Sequence, residues 1–234
     1  METSNGMNKT RMLIIGAILF VFVLGIAQFF LPHSVVSPTL PAATTTAERS
    51  NAITTTATVN VQKPSIAHPL PLVTGDTIAS WDFTGAYSGN PDLEIKAQNE
   101  IKRISGLMGE GSFSDLSLYV GIANQYELLG NGKKQYEYLG RAIGAGGTVS
   151  SGLPWHNLGV LMERLGALKT ARVAYEKATL VDPKLKFYHA AYFEFLTTRM
   201  RDDIADIEKE FAAAIANLGQ DADILRLRSE WEQS

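Results

Sequence analysis

The sequence predicts an all-α chain: a helical-repeat solenoid of about three helix pairs with flanking helices, preceded by an N-terminal transmembrane helix and a disordered linker. Three observations carry this expectation. From Trp155 to Ala178 apolar residues recur at three- and four-residue steps, interrupted at Gly166 and closed by Pro183, which is the spacing of two amphipathic helices and a turn. A weaker copy of that pattern starts at Tyr119, 36 residues before Trp155, and another follows Pro183. Residues 12–31 are almost wholly apolar, with Gln28 as the one polar side chain.

The stretch Trp155–Pro183 is the most informative. Pro154 suits the first turn of a helix, where its missing N–H costs nothing. Trp155, Leu158, Gly159 and Met162 then share one face. Gly159 has no side chain and admits a second helix at close range. Gly166 ends the first helix on a residue suited to positive φ. The second helix presents Ala171, Tyr175 and Ala178 on one face, small, large, small. Asp182-Pro183 closes it, because the residue before a proline is pushed out of the α region. Two such short helices cannot bury their shared face alone, so stacking on neighbours is expected.

These landmarks resemble the tetratricopeptide (TPR) family, whose repeat is about 34 residues long. The resemblance covers residues 152–185 closely, and 116–149 and 186–219 more loosely. In the first of the looser units Tyr119, Ile122, Ala123, Tyr126 and Gly130 match the first helix, and Leu139 and Ala142 the second. Gln135 replaces the small residue expected there, and the glycine-rich run from Gly144 replaces the closing proline. In the last unit Tyr188, Ala191, Tyr192 and Phe195 match a first helix. Phe211 and Ala214 then come about three residues late, so a longer turn is expected.

The resemblance implies a concave groove, lined by first helices, that binds a protein or peptide and performs no catalysis. By position that groove would hold Asn124, Glu127, His156, Asn157, Val160, Glu163, His189 and Phe193. One subgroup of the family grips a terminal carboxylate through lysines, but here Val120 and His156 stand where those lysines would be.

Ahead of the repeats, residues 1–11 read as a cytoplasmic N-terminus. Twenty helical residues reach about 30 Å, the hydrocarbon thickness of a bilayer, so residues 12–31 read as a retained single-pass membrane helix. Lys9 and Arg11 precede it, and no charge follows until Glu48. The positive-inside rule therefore places the remainder on the extracytoplasmic side. Residues 32–89 read as a Thr/Ser/Pro-rich linker, too poor in apolar side chains up to residue 80 to offset its ordering entropy. Within it, Trp81, Phe83 and Tyr87 alternate as on one side of an extended segment. This arm at 81–87 is expected to pack on the end of the helical domain, or else to dock in a groove. Residues 90–234 are the helical domain. Asn90-Pro91 caps its first helix, with the stripe Leu93, Ala97, Ile101, Ile104 and Met108. A last amphipathic helix, 221–233, points Ile224, Leu227 and Trp231 inward and Arg226, Arg228, Glu230 and Glu232 outward.

Several chemistries lack the residues they need. The net charge of −3 leaves no basic stripe for nucleic acid. The absence of cysteine removes disulfides, thiolate metal sites and iron–sulfur clusters. Gly130-Asn131-Gly132-Lys133-Lys134 lacks the Ser/Thr and spacing of a phosphate loop and reads as a helix break. His156 and His189 occupy equivalent places in adjacent units and could face each other with Glu163 nearby. That is weak support for a metal or an active site, and somewhat better support for a pH-sensitive groove. No catalytic residue, cofactor or metal is expected. The leading functional expectation is a membrane-anchored scaffold or adaptor for a protein or peptide, in envelope assembly, secretion or chaperone-like holding. The alternative is a structural subunit that self-associates into a homo-oligomer, with the 81–87 arm filling the groove.

Overall fold

A computed structural model of the chain describes residues 68–146 and 151–234. The expected cytoplasmic N-terminus (1–11), membrane helix (12–31) and linker up to residue 67 lie outside the described residues. Among the described residues, no helix is long and apolar enough to cross a membrane.

The described residues fold as eight α-helices without a strand: α1 Pro91–Gly106, α2 Asp115–Leu128, α3 Gly132–Ala145, α4 Gly152–Arg164, α5 Leu168–Val181, α6 Lys186–Arg199, α7 Ile204–Leu218 and α8 Ala222–Glu232. The all-α expectation therefore holds. The helices pack on their neighbours in the chain, except that α8 packs more on α6 than on α7. The three expected pairs are α2 with α3, α4 with α5, and α6 with α7.

Local chemistry sets the ends. Asn90 caps α1 by accepting from the Leu93 N–H (3.3 Å), Ser114 caps α2 from the Ser117 N–H (3.2 Å), and Asn131 caps α3 from the Lys134 N–H (3.0 Å). Gly130 and Gly166 follow α2 and α4 with φ of +73° and +77°, the left-handed turn that glycine alone takes cheaply. Pro154 sits in the first turn of α4. The late start of the second helix in the last unit is real: α7 begins at Ile204 after the turn 200–203, and Arg172 of α5 pairs with both Asp203 and Asp206 at its start.

The core lies where α4 and α5 cross. Leu158, Leu161, Met162, Ala171, Ala174 and Ala178 are fully buried, and Tyr175 nearly so. Gly159 is the contact point: a Cβ there would stand 2.8 Å from the Tyr175 ring. Trp155 flanks this core, and the Pro183 carbonyl accepts from the His189 ring, 3.0 Å away. In the pair before it, buried Gln135 stands where a small apolar residue was expected, its amide nitrogen donating to the Glu127 carboxylate (3.4 Å) and its Oε1 without a partner among the described residues.

Residues 68–80, expected to be loose tether, are a correction. With 81–89 they form a strap laid on the helices. Their composition argued for a tether because few apolar residues occur, but the strap is held mainly by polar and main-chain bonds. His68 stacks on Tyr136 at 3.6 Å and bonds to its carbonyl oxygen. The Tyr136 hydroxyl donates to the Leu70 carbonyl (2.6 Å). Leu70, Ile78, Trp81 and Phe83 add apolar contact with the core. A second correction concerns Arg228. Its side chain lies over the Phe211 and Trp231 rings, at 5.0 and 4.6 Å, and pairs with Glu208 and Glu232 instead of pointing outward.

Candidate functional site

The first helices α2, α4 and α6 carry the residues expected to line a groove, and the structure divides that set. Asn124, Glu127, Asn157, Val160 and Glu163 are half-buried, with part of each side chain in solvent. His156, His189 and Phe193 are buried, at 7%, 1% and 1% exposure, and cannot line an open face. They are corrections, and each has a physical cause.

His156 is enclosed by aromatic rings. Tyr175, Phe187 and Tyr188 lie 5.6, 4.7 and 5.4 Å from it, centroid to centroid. Its Nδ1 has no hydrogen-bonding partner among the described residues. Burial pushes its pKa down to about 4, since the charged imidazolium loses its hydration there. His189 lies one unit on and faces a different environment. Its Nδ1 is 2.6 Å from the Glu210 carboxylate of α7, and its Nε2 is 3.0 Å from the Pro183 carbonyl. Burial opposes its protonated form, but the Glu210 hydrogen bond and charge, with the Pro183 carbonyl, outweigh burial and hold it above its ordinary value. The two histidines therefore do not face each other across a groove. Phe193 fills the contact between α6 and the α7–α8 end, with Phe211 and Trp231 at 6.3 and 6.4 Å. Among the described residues no group of three acidic or imidazole side chains could hold a metal.

What remains is a polar ladder that ties one first helix to the next. The Asn157 amide donates to the Asn124 side-chain oxygen at 3.3 Å. Arg164 pairs with Glu127 at 3.1 Å, and Arg199 pairs with Glu163 at 3.1 Å. Glu163 also accepts from the Tyr175 hydroxyl (3.0 Å), so it joins the ladder to the core. The ladder carries equal and opposite charges and two amides, and each amide keeps bonding capacity beyond the one bond they share. Such a face suits a peptide backbone better than a strongly charged ligand.

Sequence reasoning missed Arg164 and Arg199. The signal was present as a Glu–Arg pattern recurring from Glu127/Arg164 to Glu163/Arg199, but a pairing between units is visible only once the helices are stacked. The aromatic arm also falls in a definite place. Trp81, Phe83 and Tyr87 meet the α2–α3 turn: the Phe83 N–H donates to the Gly130 carbonyl (3.0 Å), the Gly132 N–H to the Trp81 carbonyl (2.9 Å), and the Tyr87 N–H to the Leu128 carbonyl (2.9 Å). Arg164 lies 4.6 Å over the Phe83 ring. The arm thus sits at the ends of α2 and α4, beside the ladder and not along it. No family model matches this chain, and neither a curated protein nor a solved structure matches it.

Proposed function

We propose that the protein is a membrane-anchored scaffold of tetratricopeptide type, which holds a protein or peptide on the face formed by α2, α4 and α6. Residues 12–31 are the anchor in this reading, and the helical unit works on the extracytoplasmic side, in envelope assembly, secretion or chaperone-like holding. It does no catalysis of its own. The observation that supports this most is the ladder Asn124–Asn157, flanked by Glu127–Arg164 and Glu163–Arg199. It fixes the spacing of three first helices and presents half-buried amides between them, the kind of rigid, mildly polar platform on which an extended backbone finds hydrogen bonds. The self-association reading with the arm as groove filler is less favoured, because the arm's three aromatics are already seated on the α2–α3 turn.

The test is a crosslinking pull-down from native membranes with the full-length protein, beside a variant carrying Asn124→Ala and Asn157→Ala. The expected result is a partner captured by the wild type and lost from the variant, with helicity unchanged. Equal capture by both would move binding away from this face, and capture of the protein's own copies alone would favour the self-associating subunit. Glu163 is left intact, since it also braces Tyr175 and Arg199 and its loss would confound binding with folding.

A further inference from the structure

The flank formed by α3 and the start of α5 is shaped to let a length of backbone lie close against it. Glycines stand at Gly130, Gly132 and Gly140. A Cβ at Gly130 would lie 1.9 Å from the Phe83 carbonyl oxygen, one at Gly132 would lie 2.4 Å from the Trp81 carbonyl oxygen, and one at Gly140 would lie 2.3 Å from the His68 ring. Glycine is a poor helix former, and Gly140 stands well inside α3. Here its missing side chain opens a trough along the helix in which the strap lies. Gly85 of the strap is matched in turn, since a Cβ there would stand 2.3 Å from the Leu128 carbonyl oxygen.

Polar recognition is as specific as the shape. The N-cap residue of α5 is Ala167, which offers no side-chain cap. Asp76 of the strap supplies one from outside. Its carboxylate accepts from the Thr170 N–H (2.7 Å), the Thr170 hydroxyl (2.7 Å) and the Lys169 N–H (3.3 Å). The Val73 N–H donates to the Thr170 hydroxyl oxygen at 2.9 Å. Main-chain pairing at Gly130 and Gly132 and stacking of His68 on Tyr136 complete the hold. Between these anchors the strap is open to solvent: Leu72, Thr74, Gly75, Thr77 and Ser80 are exposed. A segment with one turn, at Val73–Asp76, fixed by backbone pairing, side-chain pockets and one carboxylate, with solvent between them, is held as bound peptides are held.

We propose that this flank is a peptide-binding site, separate from the face of α2, α4 and α6, and that residues 68–83 are its resident ligand, bound in cis. The site reads a segment in which a turn at residues 73–76 presents an aspartate that caps α5, and a Trp-x-Phe pair follows to sit on the α2–α3 turn. While the strap is down the site is closed. When it lifts, the N-terminus of α5, Tyr136 and the Gly130–Gly132 turn become available to a segment of the same chemistry.

The test uses the full chain and a fluorescent peptide with the sequence of residues 68–83. In an Asp76→Ala/Trp81→Ala variant the tethered strap is weakened, and the peptide in trans is expected to bind at least about ten-fold more tightly than to the wild type, where the strap competes at high effective concentration. A peptide carrying the Asp76→Ala change is expected to lose that gain. A variant that keeps its helicity and binds the peptide no better than wild type overturns the proposal. A second measurement guards against a variant that fails to fold. In wild-type hydrogen exchange, the strap-bonded amides of Val73, Phe83 and Gly132 are expected to exchange through local opening, well before the core amides of α4 such as Leu161. Exchange of these amides only together with the core would make the strap an inseparable part of the fold and would equally overturn the proposal. Either outcome leaves the reading of the α2, α4, α6 face untouched.

Discussion

Single residues in this protein do work that their type alone does not reveal. Gly159 is clear in the sequence as a helix-contact glycine, and the structure gives the reason: the Tyr175 ring lies against it, buried among Leu158, Met162 and Ala174. Gly159→Ala would press a methyl into that ring, and overpacking of this kind costs about 1–3 kcal/mol. Chemical denaturation should show a lowered midpoint, and an unchanged midpoint would mean that α4 and α5 slide apart freely. His156 was legible as a histidine at a repeat-equivalent position, but not as a buried one, because Phe187 and Tyr188 close over it from the next helix. Its folded pKa of about 4 lies below the unfolded value of 6.5. The neutral ring therefore contributes stability that is present above pH 6.5 and is lost as pH falls through the window down to 4. The full loss is about 3 kcal/mol at the usual conversion of pKa shift to free energy. Denaturation midpoints measured from pH 7.5 down to 4.5 should fall for the wild type and fall less for His156→Leu. Parallel curves would remove His156 as the cause.

At the scale of elements, the joint between α6 and α7 is made differently from that between α4 and α5. Instead of a glycine and a ring, a buried pair, His189 and Glu210, spans it. Burial raises the Glu210 carboxyl, and Glu210 with Pro183 holds His189 above its ordinary value against burial. Both shifts favour keeping a proton in the pair. The His189 contribution is fully present below its unfolded value of 6.5 and is lost as pH rises past it through the folded value, the opposite sign to His156. The loss from Glu210 begins above the unfolded carboxyl value of 4.5. Breaking the pair with Glu210→Leu leaves the His189 ring in the core without its carboxylate partner and should cost about 3–5 kcal/mol. Replacing both partners with apolar residues of like volume should come close to neutral. A double-mutant cycle reads this directly, and a double variant as weak as the single one would show that the pair is not the source of the cost. The elements themselves were largely legible: caps at Asn90 and Asp221, breaks at Gly130, Gly166 and Gly219, and the late α7 all fall where residue types place them. The strap was not. Thr, Ser and Pro predict a chain that buries little, and this one does bury little. It is held by Asp76, His68 and main-chain bonds whose partners lie 66 to 97 residues away in sequence, for residues 68 to 76, and no local pattern announces such a pairing. The isolated Gly140 inside a helical segment was the available hint.

For the helical unit as a whole, the pattern of contact decides how damage spreads. Helices pack chiefly on chain neighbours, so stability is a sum of pair and interface contributions, and an end can open without the middle. The α4–α5 pair holds more fully buried apolar side chains than either neighbouring pair and has neighbours on both sides, plus the strap across α3 and α5. The α6–α8 end has one such neighbour, and its links to α5 include Arg172–Asp206 and Lys209–Glu176 on the partly solvated side. Exposed pairs of this kind contribute little, about 0–1 kcal/mol each. A lesion in the last unit should therefore melt that unit first. In Glu210→Leu, hydrogen exchange is expected to quicken across α6, α7 and α8 while the amides of α4 and α5 stay close to wild-type protection. Asp76→Ala should give the reciprocal picture: faster exchange at the start of α5 and along α3, with α7 and α8 unmoved. If either substitution instead raised exchange evenly from α2 to α8, the unit would open as one cooperative block. A partner bound on the α2, α4, α6 face would then feel every core mutation equally, wherever in the row of helices it fell.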